Sequence, residues 1–388
     1  MSMKKRIIAL VDCDSFFVSC EQADMPKYKN TPTCVVSGGN GCVLSRSKEA
    51  KIVGVKMGMP LFMAKKEFPN VNYIIANHDK YKEYSKKVMD CLTNFSPDVQ
   101  IMSVDEAFID LTGTKLLFKK NYYDIVKMIR QTILEKTDIP VSIGVSLSKT
   151  LAKLASDKAK KTGGIFVVGT RKILSVLDDT SVEEISGIGS ANNLILRRSG
   201  IFTAGEFVKK TDAWVKLKLG ARGLELKHEL LGEVVSPVSR KSEPPKSIQD
   251  TSTIGDGEFS SNMNVIKMEI AKHIHSACSR LRYYNAKCLS VGLMLKAKDF
   301  SVFYDKKILI KPTDFELTVQ KAVNEMFEKL YNPSIVYRAT GVVLDRISLN
   351  DGEQLSLFTQ PDEKELKLSK CFDNIQKKFG KNSIRTGF

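Results

Sequence analysis

The sequence predicts an α+β protein built from several domains. Two stretches alternate strand-like and helix-like patterns in the order βαββαβ, one within the first 170 residues and one after residue 246. Between them lie a helical stretch with a Gly-x-Gly motif and a segment with three prolines. The 388 residues are 43% hydrophobic, which is enough to bury real cores and excludes a wholly disordered chain. At roughly 100–200 residues per domain, we expect about two to four domains.

The first βαββαβ stretch begins with an apolar strand and a short helix. Its predicted elements are a strand at 6–11, a helix at 15–23, a hairpin arm at 101–104, a strand at 105–111, a helix at 123–136, a strand at 141–146, a helix at 149–159 and a strand at 165–168. A Gly-rich insertion at about 25–76 interrupts this order. One sheet with an inserted subdomain is therefore expected.

The segment from residue 181 changes in character. Gly187 and Gly189 lie between two short helical patterns, as in a helix-hairpin-helix whose backbone N–H groups hold a DNA phosphate. An ordinary helix-turn-helix corner explains the two glycines equally well. After them, residues 233–247 have the composition of a linker.

The second βαββαβ stretch follows this linker as an independent module. Its predicted elements are a strand at 247–254, a helix at 264–283, strands at 288–295 and 302–310, a helix at 315–330 and a strand at 339–346. A polar tail begins at residue 350, with a short amphipathic helix near 366–379.

Charge and cysteine usage indicate a cytoplasmic protein with a polyanionic partner. The formal net charge is +16, which favours nucleic acid over a membrane surface. The apolar run after Lys4-Lys5-Arg6 stops at Asp12, too short for a signal peptide, and no run is long enough for a membrane span. The eight cysteines form no Cys-x-x-Cys pair, so we expect reduced thiols and neither a disulfide framework nor structural zinc.

Three acidic residues are candidate ligands for metal ions. Asp12 ends the first strand, and Asp105 and Glu106 begin a central one. If these strands are neighbours, the carboxylates meet, and clustered carboxylates suit a pair of Mg²⁺ ions, which prefer hard oxygen ligands. The alternative is that each acid is a solvated strand end.

Basic residues and hydroxyls follow the loop Gly38-Gly39-Asn40-Gly41. Ser45, Arg46, Lys48 and Lys51 surround a predicted helix start, and such groups bind a triphosphate. Lys153, Lys158, Lys160 and Lys161 form a second cluster on and after a later helix. In both cases the alternative is a solvated basic helix.

These segments together resemble a Y-family DNA polymerase. The resemblance lies in VDCDSFF (11–17), GCVLSRSKEAKIVGVKMGMP (41–60), SVDEAFIDLTG (103–113) and SKTLAKLASDKAKKTGG (148–164). The second segment is most similar to the UmuC branch (bacterial ImpB/MucB/SamB type) rather than the polymerase IV branch. EEISGIG (183–189) resembles the family's helix-hairpin-helix, and QLSLF (354–358) resembles its sliding-clamp-binding peptide. The motifs cover nearly the whole chain in the family's order.

The resemblance implies a right-hand polymerase with a βαββαβ palm, small fingers, a helical thumb and a βαββαβ little finger. The implied boundaries are palm at 1–24 and 77–170, fingers at 25–76, thumb with helix-hairpin-helix at 171–232, linker at 233–246, little finger at 247–349 and a tail with the clamp peptide at 350–388. No segment of domain size then remains for a proofreading exonuclease, so we expect low fidelity.

The resemblance also implies site residues. Asp12, Asp105 and Glu106, with the main-chain carbonyl of Cys13, would hold two Mg²⁺ ions, for which Mn²⁺ substitutes. Phe17 would be the steric gate against a ribose 2′-hydroxyl, and Phe16 would line the nucleotide pocket. The triphosphate contacts would be Ser45, Lys51 and Lys160, the DNA contacts Gly187, Gly189, Lys296 and Lys298, and the clamp contacts Gln354, Leu355, Leu357 and Phe358.

Two features depart from the family pattern. Lys48 and Lys51 stand where other branches have Tyr and Arg, and a lysine is a point charge rather than a bidentate fork. Arg46 is the residue we expect to compensate. The tail reaches Phe388, sooner than in UmuC, so contacts made through a longer extension are not carried over, although accessory mutagenesis proteins remain an expected class of partner.

The sequence therefore predicts a template-directed DNA polymerase that bypasses lesions during DNA damage tolerance and the SOS response. Primer-template DNA, deoxynucleoside triphosphates and the sliding clamp are its expected partners. A catalytically silent DNA- and clamp-binding relative is one alternative, which the intact acids Asp12, Asp105 and Glu106 disfavour. A nucleotide cyclase that shares the palm is another, and it needs neither a helix-hairpin-helix nor a clamp peptide.

Overall fold

The computed structural model describes residues 6–38, 41–240, 245–255 and 259–349, together with the tail residues 367–368, 371–372, 374–375 and 378–380. The chain divides into two compact units, Met1–Lys241 and Ser242–Phe388. Both units mix helices with antiparallel strands, which confirms the predicted α+β class.

The first unit contains both the predicted sheet and its inserted subdomain. Its strands are β1 Ile8–Cys13, β2 Thr33–Val36, β3 Val43–Arg46, β4 Asn72–Ile75, β5 Val99–Ile101, β6 Glu106–Asp110, β7 Val141–Ser146 and β8 Ile165–Val167. Its helices are α1 Phe16–Asp24, α2 Lys48–Val53, α3 Leu61–Glu67, α4 His78–Thr93, α5 Thr114–Phe118, α6 Tyr122–Thr137, α7 Lys149–Ala159, α8 Ile173–Asp178, α9 Ser190–Arg198, α10 Ala204–Val208 and α11 Asp212–Leu230.

The larger sheet of this unit has the strand order β5-β6-β1-β7-β8. Its central strand β1 is antiparallel to β6 on one side and to β7 on the other. The hairpin arm β5 pairs at residues 99–101 rather than at the predicted 101–104. The amides of Met102 and Ser103 instead donate to the Glu106 carbonyl, so these residues form the turn that leads into β6.

The two faces of this sheet carry different cores, because side chains alternate along each strand. Ala9 and Val11 of β1 and Ile109 of β6 lie in the main core, which includes residues of α4 and α6. Ile8 and Leu10 lie in a smaller cluster on the opposite face, with Ala152 of α7. The alternation therefore determines which side chains of β1 and β6 face α7.

Helix α7 packs unusually close to β7, because Gly144 has no side chain. A Cβ atom at Gly144 would lie 2.0 Å from the Ser156 amide nitrogen and 2.3 Å from the Ala152 carbonyl oxygen. The N-cap of the helix is Ser148, whose side chain accepts a hydrogen bond from the Leu151 amide. The start of the helix and its distance from the sheet are thus both fixed locally.

The insertion forms its own small sheet in the order β3-β2-β4. Cys34, Val36 and Val43 of its strands pack with Ala50 of α2 and Leu61 of α3 in a separate core. The N-cap of helix α2 is Ser47, whose side chain accepts a hydrogen bond from the Ala50 amide. The predicted insertion is therefore a folded subdomain, and it carries β3 and α2 toward the end of β1.

The helical part at 170–232 contains the Gly-x-Gly motif. Gly187 has a φ of 101°, a left-handed conformation that glycine adopts without strain, and Gly189 is the N-cap of α9. The element before the motif is a single 3₁₀ turn at Val182–Glu184. Helix α11 is interrupted at Gly220, where the backbone leaves helical geometry.

The first part of the predicted linker is held against the first unit. The amides of Val235 and Ser236 both donate to Oε1 of Glu229, each at 3.0 Å. Val238 packs on the cluster with Ile8 and Leu10. Arg240 pairs with Asp98 at 2.9 Å. Residues 233–240 therefore belong structurally to the first unit.

The second unit has the predicted βαββαβ order. Its elements are β9 Ser247–Thr253, α12 Met263–Tyr283, β10 Ala286–Ala297, β11 Val302–Thr313, α13 Glu316–Leu330 and β12 Tyr337–Leu349. The sheet has the order β11-β10-β12-β9, and its apolar face packs against α12 and α13.

A buried polar cluster joins α12 to the sheet of the second unit. His273 of α12 is 2% exposed, and its Nδ1 lies 2.6 Å from Asp250 Oδ1. The Ser276 hydroxyl donates to the other oxygen of Asp250 at 2.5 Å. Burial alone would raise the pKa of Asp250, but the hydrogen bonds from His273 and Ser276 outweigh it, so its pKa is lowered.

Two further properties bear on the sequence predictions. The structure describes all eight cysteines, and each is free. Six of them are buried: Cys13, Cys20, Cys34, Cys91, Cys278 and Cys288. Within the part of the chain that the structure describes, no helix is both long and apolar enough to cross a membrane.

Candidate active site

Two of the three predicted acids face each other across neighbouring strands. Asp12 of β1 is the register partner of Glu106 of β6. Asp105 directly precedes β6, and its carbonyl accepts from the Cys13 amide at 2.8 Å. The sheet therefore brings together residues that lie far apart in the chain, as the sequence predicted.

The alternation of β1 and β6 directs these carboxylates toward α7. Asp12 continues the side-chain series of Ile8 and Leu10, and Glu106 continues that of Phe108. The Cys13 side chain points the other way, into the main core, and burial raises its thiol pKa well above the ordinary value. Only the backbone of Cys13 thus remains on the side of the acids.

Two lysines at the α7 side of the sheet bind these acids. The Lys160 ammonium, just after the end of α7, lies 2.9 Å from Asp12 Oδ2. The Lys153 ammonium, within α7, lies 2.8 and 3.1 Å from the two carboxylate oxygens of Glu106. Lys160 was expected at the triphosphate, whereas the contact of Lys153 with Glu106 was not predicted.

The pKa values of Asp12 and Lys160 are both raised at this site. Burial raises the pKa of Asp12, Lys160 opposes this shift, and the neighbouring Asp105 and Glu106 add to it. Burial would lower the pKa of Lys160, but the hydrogen bond and charge of Asp12 outweigh it, so its pKa is raised. The negative charges of the cluster therefore repel one another, and nearby cations reduce this repulsion.

Hydroxyl groups orient the remaining carboxylates. The Ser103 hydroxyl donates to Asp105 Oδ1 at 2.5 Å, and its oxygen accepts from the Glu106 amide. The Ser142 hydroxyl of β7 donates to Asp14 Oδ1 at 2.8 Å. Burial raises the pKa of Asp14, and the Ser142 hydrogen bond opposes the shift. The turn before β6 thus fixes the direction of Asp105.

The donor set suits a hard divalent cation. Three carboxylates at one end of neighbouring strands offer oxygen ligands only. Burial, with smaller contributions from the charges of Asp105 and Glu106, raises the pKa of Asp12, so a nearby cation would stabilise its charged form. Among the described residues, no three His, Cys, Asp or Glu side chains already converge as a metal cage. The ammonium groups of Lys153 and Lys160 neutralise two of these acids.

The candidate triphosphate residues of the insertion converge on Ser15. The Lys51 ammonium donates to the Ser15 hydroxyl at 2.9 Å, and the Ser45 hydroxyl donates to the Ser15 carbonyl at 3.1 Å. Burial lowers the pKa of Lys51, and the nearby Arg46 lowers it further. Ser15 itself has a φ of 48°, an uncommon conformation for a residue with a side chain. The inserted subdomain therefore contacts the chain just beyond Asp12.

Arg46 is bound within the insertion. Its guanidinium donates to the Val55 carbonyl, and its buried Nε has no partner among the residues that the structure describes. This contact directs at least one edge of the guanidinium to the backbone after α2. The expected compensation of Lys51 by Arg46 thus stays a prediction.

The two phenylalanines of α1 have different environments. Phe16 is 3% exposed and lies in the main core, so its expected place in the nucleotide pocket stays a prediction. Phe17 is partly buried and stacks on Tyr81 of α4, with ring centroids 4.6 Å apart. The stacking on Tyr81 therefore restricts the movement of the Phe17 ring.

The two candidate DNA contacts of the second unit, Lys296 and Lys298, differ from the nearby lysines 306 and 307 in their partners. Lys298 is exposed, and the Lys296 ammonium lies over the Phe300 ring at 5.1 Å. Lys306 pairs with Asp345 at 2.6 Å, and Lys307 pairs with Glu325. Lys306 and Lys307 therefore already have acidic partners within the unit.

The predicted clamp peptide lies outside the described residues, so Gln354, Leu355, Leu357 and Phe358 stay predictions.

Sequence reasoning missed Lys153 as a partner of Glu106, and it missed Tyr81 and Glu21 behind Phe17. The position of Lys153 seven residues before Lys160, on a helix next to the Gly144 strand, is a signal that places both lysines at one side of the helix.

Comparison with known proteins identifies the class of protein. Residues 11–157 match the impB/mucB/samB family, and residues 245–357 match its C-terminal domain. A DNA polymerase IV of Oceanobacillus iheyensis is 32% identical over 98% of this chain and 91% of its own length. The protein UmuC of Salmonella typhimurium is 28% identical over 97% of this chain and 92% of its own.

A solved structure agrees with this class. The Y-family DNA polymerase chimera Dbh-Dpo4(243-245)-Dbh has a TM-score of 0.75 and 26% identity, and the match covers 89% of this chain and all of the chimera. The fold and the sequence matches define a UmuC/DinB-like Y-family polymerase. The chain belongs to the impB/mucB/samB family, which confirms the resemblance to a Y-family DNA polymerase. Relatives from both the polymerase IV and the UmuC branch match, so the UmuC branch stays a prediction.

Proposed function

We propose that Asp12, Asp105 and Glu106 form the catalytic centre of this chain, a translesion DNA polymerase that joins deoxynucleotides to a primer. The observation that supports this best is the register of β1 and β6, with Asp12 directly opposite Glu106 and Asp105 adjacent. The polymerase IV and UmuC relatives support the same activity. A family of DNA polymerases depends on divalent metal ions, and the oxygen-only donor set fits them.

The three carboxylates and the Cys13 carbonyl would hold two Mg²⁺ ions, for which Mn²⁺ substitutes. Bound there, such ions supply the charge that activates a primer 3′-hydroxyl and neutralises a leaving pyrophosphate. Ser103 keeps Asp105 in one orientation through a 2.5 Å hydrogen bond. Lys160 brings a cation to the same edge, where it would contact a triphosphate.

The incoming nucleotide would lie between the end of β1 and the insertion. Lys51 and Ser45 meet there at Ser15, and both would exchange that contact for phosphate oxygens. The ring of Phe17 would occupy the space that a ribose 2′-hydroxyl needs. Exclusion of a group, rather than binding of one, would then select deoxynucleotides.

The remaining parts of the chain would hold DNA. We assign the palm to 1–24 and 77–170, the fingers to 25–76, the thumb to 171–232, the linker to 233–246 and the little finger to 247–349. The left-handed backbone at Gly187 and the N-cap Gly189 expose N–H groups suited to a phosphate, and Lys296 and Lys298 add positive charge. Low fidelity, as expected of a polymerase that copies damaged templates, belongs to the same proposal.

A variant with both Asp105→Ala and Glu106→Ala tests the catalytic centre. Primer extension should fall by orders of magnitude, because the metal-binding carboxylates are lost. DNA affinity, measured by fluorescence anisotropy, should stay close to that of the wild type. Asp90→Ala, an exposed acid of α4, is the matched control and should extend normally. Near-normal extension by the double variant would contradict the assignment.

The tail would bind the replication sliding clamp through Gln354, Leu355, Leu357 and Phe358. Apolar side chains on a polar arm favour a docking pocket, and a tether raises the local concentration of the enzyme at the primer end. Replacing Leu357 and Phe358 with Ala should preserve distributive synthesis and remove stimulation by a loaded bacterial clamp. Unchanged stimulation would exclude this peptide. Accessory mutagenesis proteins, SOS induction and a cytoplasmic location belong to the same proposal.

A further inference from the structure

The ring of Phe17 rests on a second aromatic ring. Phe17 and Tyr81 stack with centroids 4.6 Å apart and planes inclined by 20°. His78, one turn earlier on α4, meets the Phe17 ring edge-on at 6.0 Å. Tyr81 is 1% exposed, so its ring forms the floor beneath Phe17 and has little room to move.

The Tyr81 ring is anchored at its far end by a buried carboxylate. Its hydroxyl donates to Glu21 Oε1 at 2.8 Å, and Glu21 is 3% exposed. Lys80 donates to the other oxygen, Oε2, at 2.9 Å. Burial raises the pKa of Tyr81, and its hydrogen bond to Glu21 raises it further, so the hydroxyl remains a donor.

The geometry links this carboxylate back to the gate. Glu21 follows Phe17 by four residues on α1, so both side chains lie on one face of that helix. Phe17 stacks on Tyr81, Tyr81 is hydrogen-bonded to Glu21, and Glu21 shares a helix with Phe17. Each of the three side chains therefore restricts the movement of the other two. A buried carboxylate is costly unless its oxygens are satisfied, and here the Tyr81 hydroxyl and the Lys80 ammonium satisfy both.

We propose that Glu21 is a positioning residue for sugar selection, which acts by fixing Tyr81 and, through it, the height of the Phe17 ring. This inference rests on the proposed role of Phe17 as the steric gate. A gate that works by contact is sensitive to small displacements, because repulsion rises steeply when atoms overlap. A small displacement of the Phe17 ring would therefore make room for the ribose 2′-hydroxyl that a fixed ring excludes.

The test measures kcat/KM for deoxynucleotide and ribonucleotide insertion in full-length variants. Glu21→Gln keeps the volume but replaces the charged acceptor, and Tyr81→Phe keeps the ring but removes its hydroxyl. We expect each to lower the discrimination ratio by about tenfold, the effect of one charged hydrogen bond. The change should come from a higher ribonucleotide kcat/KM.

Asp24→Asn is the matched control. Asp24 binds the same Lys80 at 2.9 Å but makes no hydrogen bond to Tyr81 among the contacts of the described residues. Its substitution disturbs the same lysine without touching the ring, so the discrimination ratio should stay at the wild-type value. A loss in this control equal to that in Glu21→Gln would overturn the positioning role of Glu21.

A double substitution separates this inference from the gate assignment. In a Phe17→Ala background, Glu21→Gln should cause no further loss of discrimination, because the part it positions is gone. If Phe17→Ala alone retains the wild-type preference, the gate assignment is wrong. If Phe17→Ala relaxes the preference while folded Glu21→Gln and Tyr81→Phe both keep the wild-type ratio, only the role of Glu21 is overturned.

Discussion

Lys153 donates to both carboxylate oxygens of Glu106, at 2.8 and 3.1 Å. The two side chains are only 32% and 21% exposed, so the contact is partly shielded from solvent. The ammonium therefore neutralises one acid of the candidate catalytic centre from within the protein. A divalent cation that binds Glu106 must replace this contact or share the carboxylate with it.

We expect Lys153→Met to tighten the binding of Mn²⁺ to the enzyme without DNA or nucleotide. The substitution keeps an apolar stem of similar length and removes a positive charge beside the site, so repulsion of the metal ion decreases. Electron paramagnetic resonance titration should show an affinity several-fold higher, on the order of one charge interaction at the protein surface. Lys158→Met, on the same helix, is the control and should leave the affinity unchanged. Weaker binding by Lys153→Met would mean that the lysine supports the site.

We expect Gly144→Ala to destabilise the first unit and to reduce polymerase activity. The new methyl group would overlap backbone atoms of α7, which cannot rotate away, so helix and sheet must separate. The free energy of unfolding should fall by about 1–3 kcal/mol, measured by denaturant unfolding followed at Trp214. Gly169→Ala has open space around its added Cβ and should match the wild type. Equal stability of both variants would show that α7 tolerates the displacement.

Much of the fold could be predicted from hydrophobic patterns. Strands such as residues 141–146 and helices such as 149–159 are apolar segments bounded by clear polar caps, and the structure has them at these residues. The predicted hairpin arm before β6 starts two residues later in the chain than the observed strand β5. The sequence pattern at Met102 and Ser103 does not distinguish the turn found there from an extended strand. Short arms carry too few side chains to fix a register.

We expect the second unit to lose stability as pH falls below about 4, in part through Asp250. Its pKa in the folded protein is lower than the ordinary 3.8, so the unfolded chain takes up the proton first. The stabilising contribution is therefore present above the ordinary value and is lost as pH falls through the folded one. Asp250→Asn should lower the free energy of unfolding by about 1.5–3 kcal/mol near neutral pH.

Differential scanning calorimetry of the full chain across this pH range checks that expectation. The difference between Asp250→Asn and the wild type should shrink as pH falls. Glu328→Gln, an exposed acid of α13, is the control for loss of a charge alone. A constant difference at every pH would mean that the His273 contact, rather than the charge of Asp250, stabilises the unit.

We expect DNA affinity to fall steeply with salt, and individual lysines to contribute unequally. Each neutralised phosphate adds about −0.9 to the slope of log affinity against log salt, so Lys298→Ala should make the slope less negative by about that amount. Lys307→Ala should change it far less, because Glu325 already pairs with that charge. Anisotropy titrations at several salt concentrations provide the slopes. Equal changes in both variants would mean that the ion pair opens on DNA.

The candidate site could be predicted only in part. The acids were identifiable, since Asp12 lies at the end of one apolar strand and Asp105-Glu106 at the start of another in a basic protein. Their lysine partners were not, because the contact of Lys153 with Glu106 depends on how closely α7 approaches the sheet. Tyr81 likewise reads as a core aromatic of α4, and only the packed structure puts it beneath Phe17. Contacts between distant segments are properties of packing rather than of local pattern.

The burial of six cysteines affects how readily this enzyme reacts with oxidants. Burial raises the pKa of every one of these thiols, so each stays protonated at neutral pH. Peroxides attack the thiolate rather than the thiol, and they need access to the sulfur. Oxidants that damage DNA therefore meet little reactive sulfur in these cores. In an enzyme that copies damaged templates, these six thiols are thus shielded from the chemistry that damages the DNA.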